Sequence, residues 1–158
     1  MTDPFKSGYA SIIGRPNVGK STLLNRLLAQ KVAVTSKRPQ TTRNKITGVL
    51  HLPGAQIILV DTPGIHQSDR TLNTMMVRAS VSTYSDVDLI MVMLSAEAGF
   101  CDEDEFVLHS LRGVKTKKIL VINKLDLVEK PALLTLMDEM NRKSLFEEII
   151  PISALKED

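Results

Sequence analysis

Eight consecutive residues, Gly14-Arg15-Pro16-Asn17-Val18-Gly19-Lys20-Ser21, constrain this chain more tightly than any other stretch. Two glycines frame four residues and are followed by Lys and Ser, the pattern of a phosphate-binding loop. Glycine lets the backbone turn tightly and approach a phosphate closely. Successive N–H groups then line a concave anion site. Lys20 can reach the β- and γ-phosphates of a nucleotide as a point charge, and the Ser21 hydroxyl can ligate Mg²⁺. Such a loop must lie between a strand and a helix. Tyr9 to Ile13 reads as a short buried strand before it. Thr22 to Ala29 reads as a helix after it, with Leu23, Leu24, Leu27 and Leu28 on one apolar face.

The length of 158 residues suits one domain with a real core. Hydrophobic and charged contents of 43% and 24% are those of a globular domain. A net charge of +2 argues for no nucleic-acid surface by itself. Cys101 is the single cysteine, so an intrachain disulfide is excluded and a reducing compartment fits. It reads as a structural or bystander thiol. The first seven residues carry no signal-peptide core. The longest apolar run, Leu89 to Leu94, is too short to span a bilayer and reads as a central strand.

Strand-like runs alternate with helix-like ones along the chain. Ile46 to Leu52 and Ala55 to Val60 flank Pro53-Gly54, a spacing that predicts a tight turn and antiparallel pairing. Leu72 to Tyr84 and Asp102 to Leu111 read as helices, the second with an acidic first turn and Gly113 as its cap. Lys118 to Ile122 and Glu148 to Ile152 read as strands. Between them, Pro131 opens a helix whose Leu133, Leu134, Met137 and Met140 share a face. The alternation predicts an open α/β sheet, mostly parallel, with one antiparallel edge strand. In such sheets ligands bind beyond the carboxyl ends of the strands.

The remaining chemistry-bearing residues fall at those ends. Asp61-Thr62-Pro63-Gly64 follows a strand, where the Asp61 carboxylate can hold Mg²⁺ through water and the Gly64 N–H can bond a γ-phosphate. Thr41 and Thr42 lie in the polar stretch from Lys37 to Lys45. Either hydroxyl can complete the Mg²⁺ shell in a loop released when the γ-phosphate leaves, and Thr42, beside Arg43, is the favoured one. Asn123-Lys124-Leu125-Asp126 selects the base. The Asp126 carboxylate can accept from the ring N1–H and exocyclic amine of guanine, donors that adenine lacks, so discrimination of roughly 10⁴-fold is expected. Asn123 can bond the base edge and brace the phosphate loop, while the Lys124 stem covers the base plane. Ser153-Ala154-Leu155 follows the last strand, and the Ala154 N–H can reach the guanine carbonyl.

Taken in order, these five stretches resemble those of translation-factor-type P-loop GTPases. Gln-Thr-Thr-Arg at 40–43 and Asp-Thr-Pro-Gly-Ile-His at 61–66, with the phosphate loop and Asn-Lys-Leu-Asp, are similar to the Era-type GTPases of bacterial ribosome assembly within the TrmE-Era-EngA-like family. They are less specific against the Der-like and MnmE-like relatives. The resemblance covers essentially the whole chain. It implies a three-layer P-loop GTPase domain over residues 1–158 with a six-stranded sheet, ending before its last helix. It implies GTP/GDP and Mg²⁺ as ligands, and a KH domain elsewhere in the full-length protein that binds 16S rRNA of the small ribosomal subunit. It also implies a cytoplasmic protein with peripheral association at the inner membrane, and a monomeric fragment. Ile65 stands where Ras-like enzymes place a water-orienting glutamine, and Gln67 is out of position to replace it. By the same resemblance Asn17 is a candidate K⁺ ligand, with K⁺ stimulating hydrolysis. Lys20, Thr42 and Gly64 are the expected catalytic residues.

Other features carry simpler readings. His66 reads as a solvated loop histidine, Asp102 to Glu105 as a helix start favoured by the dipole, and Lys115 to Lys118 as a solvated turn. Two rivals to a GTP-hydrolysing switch remain at this level. One is a guanine-nucleotide-dependent binding module with negligible hydrolysis; the other is a P-loop ATPase, opposed by Asn123 and Asp126.

Overall fold

The computed structural model describes residues 4–29, 45–61 and 84–156. Among these, six strands form one sheet. They are β1 (Lys6–Ile13), β2 (Lys45–Leu52), β3 (Ala55–Asp61), β4 (Leu89–Ser95), β5 (Lys117–Asn123) and β6 (Glu148–Pro151). Three α-helices accompany them: α1 (Lys20–Ala29), α2 (Asp102–Ser110) and α3 (Lys130–Arg142). The strand order is β2-β3-β1-β4-β5-β6. Every pairing is parallel except β2 with β3, which the Pro53-Gly54 turn joins as an antiparallel hairpin. The predicted mixed sheet with one antiparallel edge is therefore present. The predicted helix from Leu72 lies outside the described residues up to Tyr84.

Alternation along the central strands separates two apolar layers. Ile90, Val92 and Leu94 of β4 join Leu120 and Ile122 of β5 in the larger core, packed against Val107, Leu108 and Leu111 from α2 and Leu136 and Met140 from α3. Met93 and Val121 point the other way and meet Val18, Ile12 and Leu23 beneath α1. Helices thus cover both faces, which gives the expected three layers. The same alternation makes β4 and β5 near-continuous apolar runs, as strands buried on two sides require.

Two helix details differ from the sequence expectation. In α3, Leu134 is 53% exposed and Leu136 is buried in its place. The buried set with Leu133, Met137 and Met140 then follows i, i+3, i+4, i+7 spacing, one true helical face, which Leu134 lies beside. Helix α2 ends at Leu111 in right-handed geometry, and Gly113 takes its left-handed turn two residues later. Lys118 departs further, being buried within β5 rather than solvated in a turn. Its Nζ donates to the Val114 and Thr116 carbonyls at 2.5 and 2.8 Å, closing the turn that precedes its own strand. Burial lowers its pKa, and Glu147 opposes the shift.

The order of the strands places the site. The chain leaves β1, builds β2 and β3 on one side of it, and then crosses to β4 on the other. Strand β1 is the switch point of the sheet, so the loop beyond its carboxyl end opens into a crevice.

Candidate nucleotide site

Gly14 to Gly19 form that loop, and Lys20, Ser21 and Thr22 open α1. The loop is packed from below. A side chain at Gly14 would lie 2.5 Å from the Met93 carbonyl of β4, and one at Gly19 would lie 2.2 Å from Asn123 Nδ2. Gly19 is also left-handed, at φ 103°, where a side chain adds strain. Asn17 adopts φ 64°, a conformation its short polar side chain tolerates better than most. Val18 is fully buried, whereas Pro16, Asn17, Ser21 and Thr22 face solvent.

Lys20 Nζ donates to the Gly14 and Arg15 carbonyls at 2.7 Å each. The ammonium is therefore stored across the mouth of its own loop. Burial, then the neighbouring Arg15 charge, pulls its pKa below the ordinary 10.5. An incoming anion relieves both effects. The first turn of α1 contains no acidic residue, so its positive dipole end is left for an anion. The start of α2 differs, with Asp102, Glu103, Asp104 and Glu105 in its first turn.

At the other end, Asn123 closes β5 and is buried. Its Nδ2 donates to the Val18 carbonyl at 2.9 Å, and its Oδ1 accepts from the Ala154 N–H at 2.9 Å. One side chain thus ties the phosphate loop to the loop after β6. The Ala154 N–H, expected at a guanine carbonyl, is spent on Asn123 instead. Lys124 turns left-handed at φ 65° and its Nζ reaches Glu97 Oε2 at 3.1 Å. Leu125 and Asp126 follow in a short 3₁₀ turn, anchored by the Leu125 N–H on the Ile152 carbonyl. Asp126 Oδ1 accepts from the Ser153 hydroxyl at 2.7 Å, and Lys156 Nζ lies 3.5 Å from Oδ2. The Ser153 hydrogen bond is the main reason that the Asp126 carboxyl is held below its ordinary range, so it stays ionised. Leu155 is exposed, and its carbonyl accepts from Arg26 of α1.

Sequence reasoning missed one contact altogether. Arg15, expected at the nucleotide, directs its side chain to Asp104: Nε lies 3.0 and 3.1 Å from the two carboxylate oxygens. Asp104 lies in the first turn of α2, as expected, but is fully buried, and it also accepts from the Cys101 N–H and thiol. Removing one member of such a buried pair costs about 3–5 kcal/mol, because the other charge is stranded. The two residues are 89 positions apart, so no local pattern joins them. The acidic run was nevertheless visible, and its position opposite an arginine could have been inferred from the adjacency of β1 and β4.

Asp61 ends β3 at this edge of the sheet, level with Lys45 of β2. Thr41, Thr42, Thr62, Pro63, Gly64, Ile65 and His66 lie outside the described residues. The donors that the structure does describe suit the ligands: an acid-free helix start with a stored lysine for phosphates, and the Ser21 hydroxyl, an oxygen donor of the kind Mg²⁺ requires. Among the described residues there is no group of three or more His, Cys, Asp or Glu able to hold a metal.

Known proteins share both sequence and fold. GTPase Era of Geobacter metallireducens is 48% identical over 155 residues, covering 98% of this chain and 52% of that protein. A solved Era in complex with MgGDPNP and nucleotides 1506–1542 of 16S ribosomal RNA aligns at 40% identity with a TM-score of 0.76, over 97% of this chain and 53% of that one. An Aquifex aeolicus Era variant bound to GDP·AlF₄⁻ aligns at 40% identity and a TM-score of 0.74, over 96% of this chain and 52% of the other. The chain spans about half the length of the curated relatives it matches. Residues 9–124, from β1 through the phosphate loop to the Lys124 turn, match the profile of the 50S ribosome-binding GTPase family, and the chain belongs to that family.

Proposed function

We propose that this chain is the nucleotide-binding and GTP-hydrolysing switch of an Era-like protein that acts in assembly of the small ribosomal subunit. One observation carries the reading: Asn123 joins the phosphate loop to a base pocket in which Ser153 already orients Asp126. A carboxylate set in that way suits guanine and rejects adenine. Backbone N–H groups from Asn17 to Ser21, with Lys20, would neutralise charge developing on the transferred phosphoryl group. Ser21, Thr42 and Asp61 would hold Mg²⁺, directly or through water, and Gly64 would contact the γ-phosphate. Mg²⁺, when bound, neutralises charge on the β- and γ-phosphates. Thr62, Pro63 and Ile65, which adjoin Gly64 in sequence, are proposed to contact the nucleotide with it. Asn17 is proposed to hold K⁺, which would supply positive charge where an arginine finger otherwise does, while Ile65 leaves the attacking water without a glutamine to orient it.

We infer that the longer protein carries a KH domain and binds 16S rRNA, because the relatives extend to about twice this length and one of them is solved with that RNA. A cytoplasmic location, peripheral membrane association of the full-length protein and a monomeric fragment belong to the same proposal. Among the described residues no helix is long and apolar enough to cross a membrane. The test is phosphate release from GTP in matched KCl and NaCl buffers. Turnover on the order of 10⁻⁴–10⁻² s⁻¹ is expected, faster in K⁺. Tight GTP binding with no release in either salt would favour the rival binding module. Equal rates would remove the K⁺ site alone.

A further inference from the structure

The phosphate loop is held at two points, and only one of them touches the base pocket. Its trailing half is fixed by Asn123 on the Val18 carbonyl. Its leading half is fixed by the Arg15 side chain on Asp104. We propose that Arg15 and Asp104 are a positioning pair for the loop, which set the Arg15 carbonyl and through it the Lys20 ammonium for the phosphates of a guanine nucleotide. The proposal rests on the functional reading above and assigns a regulator of the same site.

Three features support it. The Arg15 carbonyl is itself an acceptor of Lys20 Nζ at 2.7 Å, so any movement of Arg15 moves the lysine's seat. Asp104 is immobile in turn: it is fully buried and accepts the Cys101 N–H and thiol at 3.2 Å each, at the start of α2. Finally, Arg15 Nη2 is buried with no hydrogen-bond partner among the described residues. A buried donor left unpaired is unfavourable. A fork arranged for stability alone would spend that donor; here its direction toward Asp104 is kept at the donor's expense. The two residues are 89 positions apart in sequence, yet Arg15 follows β1 and Asp104 lies in the helix that follows β4, the strand beside β1.

The test compares the unmodified chain with Arg15→Met/Asp104→Leu, in which both charges leave together and neither is stranded. Thermal unfolding reports the fold, steady-state hydrolysis gives KM and kcat for GTP, and calorimetry gives Kd for GDP. The expected result is a KM and a Kd raised about tenfold or more, with kcat lowered as well because Lys20 also meets the charge that develops on the phosphoryl group, and with the preference for GTP over ATP unaltered. Arg15→Lys, which keeps the charge and loses the planar fork, should fall between the two. If the double variant does not unfold cooperatively, Arg15→Lys decides by the same numbers. Unchanged KM and Kd, or a fall in kcat alone from fewer folded molecules, would overturn the positioning role. An unmodified chain that binds no guanine nucleotide would overturn the functional reading and the pair's role with it; one that binds while the variant binds equally would overturn the pair's role alone.

Discussion

At the phosphate end Lys20 is committed to two carbonyls of its own loop, whereas at the base end Asp126 already stands ionised beneath the Ser153 hydroxyl. On the proposed reading, binding a triphosphate breaks two hydrogen bonds at one end and leaves the Ser153–Asp126 bond in place at the other, displacing only the loose Lys156 contact. The difference teaches how the work of recognition is divided. The base pocket is preorganised, which favours selectivity. The phosphate loop changes partners, which suits a group that must respond to the presence of a charge. Asn123 belongs to both ends, with its amide donating to the loop and its carbonyl oxygen accepting from Ala154.

Substitutions can break that comparison, and the largest effect is expected at the base. Asp126→Asn should exchange the guanine preference for xanthine, a change in relative affinity of about 10⁴-fold. Competition between GTP and XTP measures it, and unaltered preference would remove Asp126 from the base. Lys20→Ala should weaken GTP by at least about 3 kcal/mol, a hundredfold or more, from two or more charge-assisted bonds. The same change should leave the ratio of GTP to ATP affinity alone, since the base end is assembled without Lys20. A shifted ratio would mean that the two ends are not separable.

Ser153→Ala should act more gently. Loss of one hydrogen bond to the carboxylate costs about 1 kcal/mol of base affinity. It also changes the acid limb of stability. The Asp126 pKa is lowered in the fold, so its contribution is present above the unfolded carboxylate value of about 3.9 and is lost as pH falls through the lower folded value. Without Ser153 the folded value rises toward the unfolded one, and this contribution shrinks. Unfolding followed between pH 2 and pH 6, with and without the substitution, should show the difference shrinking toward the acid end, where the carboxyl is protonated in both states. An unchanged acid limb would contradict the Ser153 assignment.

Much of this arrangement was legible in the residues. The hairpin at Pro53-Gly54, the apolar strands at 89–94 and 118–122 and the loop at 14–21 are local patterns, and local physics decides them. The features that escaped depend on how the elements pack or turn rather than on composition alone. Leu134 and Leu136 are equally apolar, and strict i, i+3, i+4, i+7 spacing from Leu133 is what selects Leu136 for the buried face. Lys118 looks like a solvated turn residue until the Val114 and Thr116 carbonyls are seen to enclose its ammonium. The Arg15 fork and the Asp104 carboxylate each carry an ordinary local explanation, and their pairing exists only because β1 lies beside β4.

The central claim is that one cleft grips phosphates at its glycine loop and tests the base at Asp126. Calorimetric titration of the chain with GTP and with ATP, each with Mg²⁺, tests it most directly. The account predicts strong heat and a tight isotherm for GTP, with ATP weaker by about 10⁴-fold. Equal heats for the two nucleotides, or none for GTP, would contradict it.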